Sequence, residues 1–159
     1  MAKNLCKDEA TMSQPTVPPR ILIADDNPHG VELLEAYLAV EDYDTRTASD
    51  GEATLRVVQD WPPDLILLDV MMPKLSGFEV CKRLRSDPAT RGIGVIMVTA
   101  LDQPSDVDRA VETGANDFIT KPINKTELLH RVRAYLASRT QTTPLDQTLA
   151  YMSAVQQRP

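Results

Sequence analysis

Five polar residues sit where they can act together: Asp25 and Asp26 after the apolar run RILIA, Asp69 after LILL, Thr99 after VIMV and Lys121 after DFIT. Carboxylates held together repel unless a cation joins them. A hard oxygen site with few protein ligands, and room for water and phosphate oxygens, suits Mg²⁺. A lysine and a hydroxyl beside such a site suit a phosphoryl group, one offsetting charge and the other donating a hydrogen bond. Each residue alone has a plainer reading. An Asp-Asp pair after a strand often caps a helix, and Asp69 before Met71-Met72-Pro73 often marks a turn. Thr99 can bond its own backbone, and Lys121 can be a solvated charge. Four separate strands delivering such groups to one sheet edge is the observation that points to chemistry.

The elements that must position these residues alternate regularly. Strands are predicted over 20–24, 44–48, 65–68, 95–98 and 117–120. A helix opens at Asn27-Pro28, with Asn27 as N-cap, Pro28 at the first helical position and Val31, Leu34 and Leu38 as its stripe. Further helices are predicted over 50–59, with Ala53, Leu55 and Val57 partly inward, and over 77–86, with Phe78, Val80, Cys81 and Leu84 inward. Two more cover 104–113, closed by Gly114, and 124–137, where Asn124 and Glu127 form a capping box. Strands alternating with helices imply a parallel sheet covered on both faces. The first, third and fourth strands are wholly apolar, whereas the second is polar and the fifth short. That contrast implies the order 2-1-3-4-5, with a ligand beyond the carboxyl ends of strands one and three.

The 159 residues carry 23 acidic and 17 basic side chains, a formal net charge of −6, and no long Lys/Arg run. Nucleic-acid and membrane-surface binding are therefore not expected. Cys6 and Cys81 form neither a metal spacing nor a disulfide framework and read as free thiols, so cytoplasmic residence is expected. No apolar run is long enough to span a bilayer, and none is of signal-peptide type. Residues 1–19 end in PTVPP and read as a disordered or extended tail, with Met12 as an alternative start. Residues 20–138 form one domain. Residues 139–159 are a short helix or a disordered arm, in which Leu145, Leu149 and Met152 recur at i, i+4 and i+7 after Pro144. His29 and His130 read as surface helix residues, Trp61 before Pro62-Pro63 as loop packing.

From Arg20 to about Ala137 the chain resembles the receiver domain family of two-component response regulators, of chemotaxis-receiver type. The resemblance rests on ILIADD (21–26), DLILLDVMMP (64–73), VTA (98–100) and DFITKP (117–122), with Gly77 and Gly114-Ala115, in order along the chain. It implies a flavodoxin-like α/β fold and phosphoryl transfer from a sensor histidine kinase or a histidine phosphotransfer protein. Asp69 would be the phosphoacceptor. Asp26, Asp69 and the Met71 carbonyl would bind Mg²⁺ directly, and Asp25 would act mainly through water. Lys121 would bridge Asp69 and the phosphoryl oxygens. Thr99 would move toward the phosphoryl group, with Phe118 as the aromatic switch, and Lys121-Pro122 would be cis. The chain would not be an enzyme beyond self-catalysed transfer and hydrolysis, and no organic cofactor is expected.

The 22 residues after Ala137 are too few for an output domain. The expectation is therefore a stand-alone receiver that signals to protein partners and admits a homodimer on phosphorylation. The alternative is the N-terminal receiver of a larger regulator. A haloacid-dehalogenase-like phosphohydrolase would need a second aspartate two residues after the nucleophile, where Met71 stands. A flavin or nucleotide module would need a phosphate-cradling loop where this chain has Asp25-Asp26-Asn27-Pro28.

Overall fold

A computed structural model describes residues 17–141 and 143–157, so Cys6, Met12 and most of the expected N-terminal tail lie outside the described residues. Five strands, β1 (Arg20–Ala24), β2 (Asp44–Ala48), β3 (Leu65–Leu68), β4 (Gly94–Thr99) and β5 (Asp117–Thr120), pair in parallel in the order β2-β1-β3-β4-β5. Between and after them lie α1 (Pro28–Leu38), α2 (Gly51–Asp60), α3 (Gly77–Ser86), α4 (Pro104–Glu112), α5 (Lys125–Ser138) and α6 (Pro144–Gln156). Among the described residues no helix is long and apolar enough to cross a membrane.

The wholly apolar strands feed two cores. Ile21, Ile23, Leu65, Leu67, Ile96 and Val98 face one side, against Leu34 and Leu38 of α1 and Leu128, Leu129, Val132 and Tyr135 of α5. Leu22, Ile66, Leu68, Val95 and Met97 face the other, against α2, α3 and Ala110 of α4. Successive side chains of a strand point to opposite faces, so a strand covered on both sides must be apolar at every position. β2 is polar because it is an edge. Its Ala48 alone is buried.

Local signals act as the residue types require. Asn27, Asp50, Ser76 and Asn124 each cap a helix by accepting a backbone N–H, at 3.0, 2.7, 3.3 and 3.0 Å. The capping box at α5 is half formed: Asn124 caps, but Glu127 pairs with Arg131 at 3.3 Å, one turn on. α2 turns Ala53, Leu55 and Val57 partly inward, as predicted. Its fully buried residues are Gly51, Thr54 and Val58. Its start lies close to another loop, since a Cβ on Gly51 would stand 2.4 Å from the Leu75 carbonyl oxygen. α4 ends at Glu112 with Thr113 as its C-cap, and Gly114 turns the chain with a φ of 94°.

The C-terminal segment is helical and packs on α5, through a face other than the Leu145, Leu149 and Met152 stripe. Leu145, Leu149 and Met152 are exposed. The docked face carries Gln147, Ala150, Tyr151, Ala154 and Val155. The Tyr151 ring meets Tyr135 edge-on at 6.1 Å, and the His130 ring nitrogen lies 3.2 Å from the Val155 carbonyl oxygen.

Candidate functional site

The polar residues stand just past the strand ends because the sheet's hydrogen bonding continues beyond the strands. The N–H of Asp25 donates to the Ala48 carbonyl at 3.1 Å, that of Asp69 to Ala24 at 2.9 Å and that of Lys121 to Thr99 at 2.8 Å. Backbones locked this way leave side-chain rotation as the main freedom. The loop after β3 is held tightly as well. Gly77 donates to the Val70 carbonyl at 2.9 Å, and a Cβ there would lie 2.4 Å from the Asp69 carbonyl oxygen. Only glycine fits so near that backbone.

Asp25, Asp26 and Asp69 converge, with one carboxylate oxygen of each within 4.8 Å of the others. Asp25 and Asp69 are buried and Asp26 is exposed, so the cluster opens to solvent on one side. Asp25 accepts the Asn27 N–H at 2.9 Å, and Asp69 accepts the Met71 N–H at 3.0 Å. These bonds occupy Oδ1 of each. The Oδ2 atoms of both lie 3.0 Å from Lys121 Nζ. Burial works against the Lys121 ammonium, but hydrogen bonds to Asp25 and Asp69 and the charges of both outweigh it. Its pKa therefore lies above the ordinary lysine value. The Lys121-Pro122 peptide is cis.

Three carboxylates against one ammonium leave the cluster negative, in a pocket where two of the three are cut off from water. That donor set fits a hard divalent cation: all oxygen, compact, and open on the Asp26 side for water or phosphate ligands. Met71 follows closely on Asp69, its side chain 60% exposed beside the opening.

Thr99 and Phe118 are placed differently. Thr99 is wholly buried and joins the cluster through its backbone. Its hydroxyl accepts the Leu101 N–H at 3.4 Å, a long bond that is easily given up. Phe118 is half-buried on β5, packed against the core beneath α2, α3 and α4.

Sequence reasoning missed two features. It linked Lys121 to Asp69 but not to Asp25. It also missed a second cluster at the start of β5, where Asp117 accepts from its neighbour Phe118 N–H at 2.7 Å, from Arg131 at 2.5 Å and from the Tyr151 hydroxyl. The Glu127–Arg131 spacing on α5 was a readable signal for an ordered arginine, but nothing local marks Tyr151 as its neighbour.

Comparison with known proteins agrees with this geometry. Residues 21–133 match the family model described as the response regulator receiver domain. The response regulator PleD of Caulobacter vibrioides is 50% identical over 115 residues, which are 72% of this chain and 25% of PleD. The DNA-binding dual master transcriptional regulator RpaA of Synechocystis is 46% identical over 118 residues, 74% of this chain and 49% of RpaA. The chain thus spans a quarter to a half of the length of these relatives. A putative response regulator from Chloroflexus aurantiacus superposes with a TM-score of 0.73 at 36% identity, covering 76% of this chain and 99% of that one.

Proposed function

We propose that this chain, which belongs to the response regulator receiver domain family, accepts a phosphoryl group on Asp69 from a phosphohistidine of a partner kinase or phosphotransfer protein. The observation that carries the reading is Lys121 held 3.0 Å from both Asp25 and Asp69 inside a three-carboxylate cluster. The family is one of phosphoacceptors rather than turnover enzymes.

In the transfer, a carboxylate oxygen of Asp69 attacks phosphorus. The new O–P bond forms as the P–N bond breaks, and its electron pair leaves on the imidazole nitrogen, which takes a proton. Lys121 holds the Asp69 carboxylate in place and offsets negative charge as the group arrives. Asp25 orients Lys121 in turn. Asp26, Asp69 and the Met71 carbonyl would hold Mg²⁺, with Asp25 beside them acting through water. The ion would supply charge neutralisation between the carboxylate and the phosphoryl oxygens. The Thr99 hydroxyl, released from Leu101, would donate to a phosphoryl oxygen. Its movement would vacate space into which Phe118 turns, changing the surface formed by α4, β5 and α5 for a protein partner.

The test is labelling with acetyl phosphate in Mg²⁺ buffer. Wild type should incorporate one phosphoryl group per chain. Asp69→Asn, which keeps shape and removes the nucleophile, should incorporate none, and EDTA should abolish labelling of wild type. Normal labelling of Asp69→Asn would overturn the assignment.

A further inference from the structure

Helix α6 lies on the surface that phosphorylation would alter. It packs on α5 and reaches Asp117, the first residue of β5. Its hold there is slight. None of its 13 residues is fully buried. The Tyr151 hydroxyl donates to Asp117, its ring meets Tyr135 edge-on, and the Val155 carbonyl oxygen lies 3.2 Å from the His130 ring nitrogen. Between the helix and the loops before β4 and β5 a cavity of about 770 Å³ remains, its lining including Arg85, Arg91, Arg131, Thr148, Met152 and Gln156. A helix this short is marginal in water by itself, so leaving α5 would also mean losing its helical hydrogen bonds.

The carboxylate that holds α6 is tied to Phe118 as well. Asp117 Oδ1 accepts the Phe118 N–H at 2.7 Å, whereas Oδ2 accepts from Arg131 and from the Tyr151 hydroxyl. Neighbouring residues of a strand point to opposite faces. Phe118 thus packs on the core beneath α2, α3 and α4, and Asp117 turns toward α5. β5 has four residues and pairs only with β4, so few bonds hold its backbone. A turn of Phe118 moves the N–H that Asp117 holds, and with it the acceptor of Tyr151.

We propose that α6 is a lid on the β5–α5 face, that Asp117 is its latch, and that phosphorylation of Asp69 opens it. The proposal rests on the reading of Asp69 as phosphoacceptor and Phe118 as the residue that turns. With the latch broken α6 leaves, and His130, Arg131 and Tyr135 of α5 are uncovered for a protein partner. Coupling between two sites is reciprocal. If phosphorylation frees α6, then freeing α6 favours the phosphorylated arrangement.

Amide exchange of the full chain, with and without Mg²⁺ and the phosphoryl mimic beryllofluoride, reads both sites at once. The mimic should slow exchange in 69–73, where it binds, and speed exchange in 144–156 at least about fivefold. β1 and β3 should not change. Ala154→Glu sets a charge in the docked face and should undock α6 beforehand. It should bind beryllofluoride about fivefold or more tightly than wild type. Tyr151→Phe keeps the ring in place and spares the fold. Its exchange in 144–156 should start faster, and beryllofluoride should add less than in wild type. Slowing in 69–73 without speeding in 144–156 would overturn the lid alone. So would an Ala154→Glu variant that binds the mimic no more tightly, or a Tyr151→Phe variant that responds as fully as wild type. An unchanged 69–73 would instead overturn the reading of Asp69, and the lid with it.

Discussion

At one end of β5, Lys121 meets Asp25 and Asp69. At the other, Arg131 and Tyr151 meet Asp117. Both clusters are largely shielded from water and both tie the four-residue strand to distant parts of the chain. They differ in balance. The Asp117 cluster sets its one buried carboxylate against a guanidinium, whose other side pairs with the more exposed Glu127, and a neutral hydroxyl and a backbone N–H complete it. Burial, then the Asp117 charge and hydrogen bond, push the Tyr151 phenol well above the ordinary value, so it stays a donor. The Lys121 cluster has three carboxylates for one ammonium and remains short of positive charge. A buried cluster whose partners are satisfied holds structure together, whereas one short of positive charge could accommodate a cation.

The contrast breaks most sharply if one aspartate is removed from each. Asp117→Ala leaves Tyr151 and the Phe118 N–H without their acceptor and Arg131 with Glu127 alone, and should cost about 2–3 kcal/mol in urea unfolding. A cost under about 0.5 kcal/mol would show that the balanced cluster is not structural. Asp69→Asn should move the opposite way in metal-free buffer, gaining about 1 kcal/mol by relieving repulsion among carboxylates. Mg²⁺ at ten times its dissociation constant should then add about 1.4 kcal/mol to wild type and much less to Asp69→Asn. Equal Mg²⁺ stabilisation of both would mean that the cation does not use Asp69.

A finer cut is Tyr151→Phe, which keeps the ring against Tyr135 and removes only the hydroxyl. It should cost about 1 kcal/mol. It should also speed amide exchange in 144–156 while leaving acetyl phosphate labelling unchanged. Unaltered exchange there would mean that α6 is held by its apolar contacts alone.

Most of the architecture was legible because it rests on local rules. Apolar runs at strand length, Asn and Ser at helix starts, and Gly114 after α4 each act through their immediate neighbours. The site was legible for a related reason. In a parallel sheet, residues after consecutive strands share an edge, so Asp25, Asp26, Asp69 and Lys121 were bound to meet once the strands were placed. The close approach of Gly51 to Leu75 was not readable, because it joins the start of α2 to a separate loop. Glu127 likewise matched a capping pattern, but a cation one turn away was the better partner.

The sequence by itself determined the alternation of elements, the order of the strands and the gathering of carboxylates and lysine, since periodicity and strand-end position suffice for these. Tertiary structure alone decided which side of α6 docks. The Leu145, Leu149, Met152 stripe is the more apolar by composition, and a periodicity argument selects it. The face that α5 receives is the one whose tyrosine reaches Asp117 and Tyr135 and whose Ala150 and Ala154 allow close approach. A helix with two apolar sides can satisfy the same hydrophobic burial by either. The choice falls to the hydrogen-bond partner and the shape waiting on the opposing surface, which no window of sequence contains.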